Sequence, residues 1–202
     1  MPIKTICLDL DGLFFTAQSF QTFKEKLAPT VEKEKRDFVL ALSPQMQAFK
    51  AGKMKEADYR QRAKQELGLS LSDEEIFQIL KESYEVNTEV EQLAKQLKQQ
   101  GYHLAICSNN FPTRIRELDQ KFSFLSLFDT VILSYEVGVL KPNKKIFEAL
   151  IEKCNCLPEE IIYADDKAEK LLGAQELGIQ TFVFKNFPEF VTNLKNKGIQ
   201  GI

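Results

Sequence analysis

Apolar and polar positions alternate in two different rhythms along this chain. An apolar run climbs through Thr5-Ile6-Cys7-Leu8, the pattern of a strand buried in a parallel sheet. It breaks at Asp9-Leu10-Asp11-Gly12, where two carboxylates and a glycine follow at once. From Thr16 to about Val86 the spacing is helical throughout, and no strand is expected. Phe20, Phe23 and Leu27 recur at helical intervals up to Pro29, and Phe38, Val39 and Leu42 follow. Met46 and Phe49 lead to Ala51-Gly52, then Tyr59, Ala63 and Leu67 mark a helix closed by Gly68. Ser72-Asp73-Glu74-Glu75 forms a capping box ahead of Ile76, Phe77, Ile79 and Leu80. Together these stripes predict a packed helical bundle.

Beyond Val86, strands and helices alternate. Thr88-Glu89-Val90-Glu91 reads as a second capping box, for a helix with Val90, Leu93, Ala94 and Leu97 on one face, ended by Gly101. Strands are expected at Tyr102–Cys107, Thr130–Leu133, Glu160–Ala164 and Gln180–Phe184. Pro112 suits the first turn of one intervening helix. Another turns Ile146, Phe147, Leu150 and Ile151 inward. A third carries Ala168, Leu171 and Leu172 and stops at Gly178, and Phe187 to Leu194 makes the last. The pattern is α/β, with a parallel sheet and right-handed crossovers. The bundle between the first two strands reads as an insertion over the carboxyl edge of that sheet. The expected division is a catalytic core of residues 1–13 and 88–202 and a helical cap of residues 14–87.

Composition narrows the function classes. The 202 residues suffice for one sizeable domain, or one domain with an insertion, and 44% apolar with 28% charged residues is ordinary for a globular protein. A net charge of −2 with mixed signs offers no basic face to nucleic acid. The alternating run Glu32–Asp37 reads as a solvated helix face. No apolar run reaches the length of a membrane span and no secretion signal is seen, so a cytoplasmic protein is expected. Cys7 and Cys107 fall in strand-like runs as small core residues, and Cys154 and Cys156 lack a second pair at zinc spacing. The single histidine, His103, starts a strand. Chemistry here must therefore rest on carboxylates and lysine.

The loops that follow the strands carry those groups: Asp9 and Asp11, then Ser108 and Asn109, then Lys141, then Asp165 and Asp166. Each alone would pass for a turn, a helix cap or a surface lysine. Together they open on one sheet edge, where open α/β folds hold ligands. Two carboxylates side by side repel unless a hard cation such as Mg²⁺ lies between them. The set suits phosphoryl transfer. One carboxylate attacks phosphorus, a second protonates the leaving oxygen and then activates water, and Ser108, backbone N–H groups and a lysine receive the phosphoryl oxygens.

Asp9-x-Asp11-Gly12, Ser108-Asn109, Lys141-Pro142 and Asp165-Asp166 resemble the four motifs of the haloacid dehalogenase-like hydrolase superfamily. The likeness covers essentially the whole chain, including the helical insertion. It implies a Rossmann-like core of five parallel strands with the first strand central, and Mg²⁺-dependent hydrolysis of phosphate esters through an aspartyl-phosphate. It makes Asp9 the nucleophile and Asp11 the general acid/base. Metal ligands would be Asp9, the Asp11 carbonyl and Asp166, with Asp165 in support. Ser108, the Asn109 backbone and Lys141 would hold the phosphoryl group. The expected substrate is a small phosphorylated metabolite, a sugar phosphate for example, with no nucleic acid or membrane partner. Phe14 and Phe15 are candidates for a cap hinge, a pocket wall or packing. A sugar phosphomutase, a haloacid dehalogenase and a non-catalytic binding module stand as alternatives. Leu13, Asn143-Lys144 and Lys170 depart from the superfamily pattern without removing a reacting group.

Overall fold

The computed structural model describes residues 2–202, so residue 1 of the expected core lies outside the described residues. Strand β1 (Thr5–Leu8) is followed by five helices without a strand: α1 (Ser19–Leu27), α2 (Lys33–Asp37), α3 (Pro44–Lys50), α4 (Glu56–Leu67) and α5 (Asp73–Ser83). Alternation then sets in with α6 (Thr88–Gln99), β2 (His103–Ser108), α7 (Pro112–Phe122), β3 (Thr130–Leu133), the short α8 (Ser134–Val137) and α9 (Lys144–Cys154). The chain closes with β4 (Ile161–Asp165), α10 (Leu172–Glu176), β5 (Gln180–Val183) and α11 (Phe187–Asn196). No helix among the described residues is long and apolar enough to cross a membrane.

All strand pairs are parallel, in the order β3-β2-β1-β4-β5, so β1 is central as the superfamily likeness implied. Leu8 lies opposite both Ile106 and Ala164, which fixes where the flanking loops emerge. The two faces of the sheet follow the two-residue period of the strands. Ile6, Leu8, Leu104, Ile106 and Ile162 pack with α6, α7 and α11 on one side. Cys7, Ala105, Cys107, Ile161 and Tyr163 meet Ile146, Phe147 and Leu150 of α9 on the other.

The chain leaves for the helical cap and returns from it side by side. Thr16 N–H bonds the Glu85 carbonyl at 3.0 Å, and Asn87 N–H bonds the Phe14 carbonyl at 2.8 Å. Phe14 and Phe15 are buried here against Phe124, Phe128 and Tyr84, which makes them packing residues rather than pocket wall.

Local departures from expectation have physical causes. The second capping box does not form, because Asn87 takes the N-cap one residue earlier and its side chain accepts from Val90 N–H. The Phe38–Leu42 segment is a π-helical turn, closed by a bond from Ser43 N–H to the Phe38 carbonyl. That wide turn keeps Val39 buried as expected but brings Leu40 inward and leaves Phe38 and Leu42 exposed, against the expected stripe. Arg36, expected on a solvated face, is buried and donates to the Ala28 and Val31 carbonyls. Leu172 is exposed because α10 begins there rather than at Ala168, after a separate 3₁₀ turn at Ala168–Lys170.

Candidate active site

Asp9 is the first residue past β1, and its N–H continues the ladder to the Ala164 carbonyl at 2.9 Å. The buried carboxylate accepts from Leu10 N–H at 2.8 Å and lies 3.1 Å from the Lys141 ammonium, both through Oδ1. Its Oδ2 has no hydrogen-bond donor among the described residues. Lys141 Nζ also donates to Asp165 Oδ2 at 2.6 Å, the Tyr163 hydroxyl at 2.6 Å and the Cys107 carbonyl at 2.9 Å. Burial by itself lowers the pKa of this lysine. The charges of Asp9 and Asp165 outweigh burial and hold its pKa above the ordinary lysine value. The loop bearing Lys141 is fixed by Asn109, whose amide accepts from Lys141 N–H at 2.8 Å and donates to the Lys141 carbonyl at 3.3 Å.

Asp165 and Asp166 are neighbours in sequence but differ in surroundings. Asp165 is saturated: Oδ2 takes Lys141 and Tyr163, and Oδ1 accepts from Lys167 N–H at 3.0 Å. Burial works against its charge, yet Lys141 holds its pKa below the usual carboxylate range. Asp166 has no such cation. Burial, then the charges of Asp9 and Asp165, push its carboxyl up to about 7. One oxygen from each of Asp9, Asp165 and Asp166 lies within 4.8 Å of the others. Three carboxylates converging with a single lysine leave surplus negative charge, and all the donors are hard oxygens. Such a set fits a divalent cation of the magnesium class. Gly12 permits the approach: its φ is +77°, and a Cβ there would stand 2.8 Å from Asp166 Oδ2.

Asp11 is placed by a residue that the sequence reading missed. Arg114, in the first turn of α7, bonds Asp11 Oδ2 and is itself almost wholly buried. Its guanidinium packs 5.1 Å from the Phe20 ring, 5.2 Å from Tyr84 and 5.7 Å from Phe111. Asp11 supplies its ion pair, and Nε has no partner. Tyr163 was also missed, although the two-residue strand period puts it on the same face as Asp165. Ser108 ends β2 as a buried hydroxyl that accepts from the Asn110 side chain at 3.4 Å.

Asp11, Asn109, Lys141 and Asp166 line one wall of a cleft of about 530 Å³. Cap residues Phe20, Lys24, Leu42 and Lys50 line the other. The helical insertion thus roofs the edge where the strand-end groups gather. A separate cavity of about 70 Å³, lined mainly by apolar residues of the cap, touches none of the carboxylates. His103 bonds Thr130 at the opposite end of the sheet, and no catalytic relay reaches it.

A sequence model described as a haloacid dehalogenase-like hydrolase matches residues 3–178. Bifunctional epoxide hydrolase 2 of Mus musculus is 26% identical over 92% of this chain, but that match covers 37% of the mouse protein. Glyceraldehyde 3-phosphate phosphatase of Methanothermobacter thermautotrophicus is 34% identical over 43% of this chain and 39% of its own length. The chain therefore spans well under half of either relative. A HAD family enzyme from Bacteroides thetaiotaomicron, solved in complex with magnesium and inorganic phosphate, superposes with a TM-score of 0.74 at 22% identity, covering 93% of this chain and 98% of that one. At that identity the likeness bears on fold alone. The strand order, the helical insertion and a family match over most of its length agree, and the chain belongs to the haloacid dehalogenase-like hydrolases.

Proposed function

We propose that this hydrolase is a Mg²⁺-dependent phosphatase acting on small phosphate esters, with residues 14–87 as the cap that selects them. The observation that carries this reading is the pairing of a buried Asp9–Lys141–Asp165 array with two further carboxylates, Asp11 and Asp166, on one sheet edge. A carbon–halogen hydrolase needs no acid for its leaving group and no metal-sized cluster of carboxylates. Phosphoryl transfer needs both.

In this mechanism Asp9 attacks phosphorus through Oδ2, the oxygen free of protein hydrogen bonds. A P–O bond forms to Asp9 as the ester P–O bond breaks, and the leaving oxygen takes a proton from Asp11. Asp11 then accepts a proton from water as that water attacks phosphorus, which frees phosphate and regenerates the Asp9 carboxylate. Lys141 keeps Asp9 oriented and offsets negative charge at the phosphoryl oxygens, and Asn109 fixes the backbone that carries Lys141. Arg114 holds Asp11 through Oδ2, at the edge of the cleft that Asp11 lines. Asp9, the Asp11 carbonyl and Asp166 would hold Mg²⁺, which when bound supplies positive charge to the phosphoryl oxygens. The roof of cap helices narrows the cleft and would limit the entry of large molecules.

Asp9→Asn is expected to abolish release of phosphate from an aryl phosphate while far-UV and near-UV circular dichroism stay unchanged. EDTA is expected to stop the wild-type reaction and Mg²⁺ to restore it. Turnover by the Asp9→Asn protein, or indifference to chelation, defeats the proposal. Isomerised sugar phosphate in place of free phosphate identifies a phosphomutase instead.

A further inference from the structure

Three cations surround one aromatic ring in the roof of the cleft. The Phe20 centroid lies 5.1 Å from the Arg114 guanidinium carbon, 5.4 Å from Lys24 Nζ and 5.7 Å from Lys50 Nζ. Arg114 is matched by Asp11, and Lys24 by Asp37 at 2.5 Å. Lys50 has no carboxylate partner among the described residues. It is not a stray surface lysine. It is the last residue of α3, it lines the cleft, and its carbonyl accepts the Ser134 hydroxyl at 2.7 Å, which ties it to the core at the end of β3. Across the cleft, Lys167 and Lys170 follow Asp166 and form no ion pair among the described residues, and the single carboxylate of Glu169 on that wall offsets only one of their two charges. The Asp166 carboxylate is the group that fits a divalent cation, so it does not answer these lysines. Beyond the phosphoryl position the cleft therefore holds surplus positive charge, concentrated on a half-buried ammonium.

We propose that Lys50 binds a second anionic group on the part of the substrate that leaves, so that the substrates are phosphomonoesters bearing a carboxylate or a further phosphate. This rests on the phosphatase reading above and adds the substrate class. Burial, then the charge of Arg114, pull the Lys50 pKa down to about 7, and an entering anion restores the charge that these suppress. A neutral sugar phosphate leaves Lys50 unanswered. An anionic leaving group gives it a charge-assisted hydrogen bond in a partly desolvated setting, where such bonds are strong.

Three-carbon esters that share the C2 hydroxyl and differ only at the far end test this directly: 3-phosphoglycerate, glycerol 3-phosphate and glycerol 1,3-bisphosphate. The wild-type protein with Mg²⁺ is expected to favour a doubly anionic ester over glycerol 3-phosphate in kcat/KM. Lys50→Met is expected to shrink that ratio about tenfold or more, and Lys50→Arg to keep most of it. Which ester loses more, the carboxylate or the bisphosphate, identifies the group that Lys50 reads. An equal fall for all three esters would mean that Lys50 grips the transferring phosphoryl group, and it overturns the proposal, as does an unchanged ratio. Should no ester release phosphate, the phosphatase reading fails by itself. Calorimetric affinities of the same esters for the Asp9→Asn protein and for Asp9→Asn/Lys50→Met then decide the anion site, with loss of discrimination in the double variant supporting it and equal discrimination refuting it.

Discussion

Replacing Gly173 by alanine sets two effects of opposite sign against each other. Gly173 is the second residue of α10, and helix propensity alone favours alanine there by about 1 kcal/mol. The structure opposes this. A Cβ at Gly173 would stand 2.0 Å from the Pro142 carbonyl oxygen and 3.1 Å from Phe147 Cε2, where ordinary contact begins near 3.4 Å. The obstacle is backbone, so α10 and the turn after Lys141 must part by about an ångström or more. Overpacking of this kind costs about 1–3 kcal/mol, and a rigid backbone neighbour belongs at the upper end. The net expectation is a loss of roughly 2 kcal/mol, read as a urea midpoint lowered by about 1 M. The displaced turn carries Lys141, which touches Asp9 and Asp165, so aryl phosphate turnover is expected to fall by about 100-fold as well. A variant at least as stable as wild type would show that propensity wins and that the contact between α10 and Pro142 is loose. The account of how Lys141 is positioned would then be wrong.

Gly12→Ala combines a left-handed backbone with a Cβ 2.8 Å from Asp166 Oδ2, and it is expected to weaken Mg²⁺ activation at least tenfold, measured as the metal concentration for half-maximal rate. An unchanged metal requirement would remove Asp166 from the ligand set. Arg114→Met removes a buried guanidinium with its ion pair and its three ring contacts, so stability should fall, while Asp11 loses its anchor. Alkyl phosphates, which need a protonated leaving oxygen, should lose about 10–100-fold in kcat, and aryl phosphates with good leaving groups much less; equal losses would argue against Asp11 as the acid. Folded Lys50 releases its proton near pH 7, whereas unfolded lysine keeps it to about 10.5. The unfolded chain therefore binds more protons across that window, and the stability of the metal-free protein rises with pH through it. Lys50→Met should flatten that rise in urea titrations between about pH 7 and 9; a slope identical to wild type would show that Lys50 titrates normally.

The core was legible because its central strands β1, β2 and β4 are buried on both faces. That burial writes them as apolar runs, and each run breaks where a polar loop begins, as at Leu8–Asp9 and Ala164–Asp165. Thr130–Leu133 came out residue for residue, and the other strands shifted by a residue or two at their ends, where fraying and loop chemistry blur the signal. The strand-end groups were legible for the same reason. The cap was legible only as helical. Its π-helical turn exposes Phe38 and Leu42 and buries Leu40 beside Val39, and no 3.6-residue pattern announces such a shift. Arg114 and Lys50 look in sequence like helix-surface cations. Their roles arise from contacts between elements far apart in the chain, Arg114 with Asp11 and Lys50 with Phe20 and Ser134. Local periodicity carries no record of such contacts.

The central place of β1 has a consequence for how the molecule comes into being. This strand, the first of the sheet in chain order, is flanked by β2, which begins at His103, and by β4, which begins at Ile161. During synthesis one edge therefore waits unpaired until β2 has been made and the other until β4 has been made. Pairings this distant are slow to close. A chain cut short before β4 would display the bare flank of an apolar strand, and aggregation rather than a smaller working enzyme is the fate expected of such a fragment.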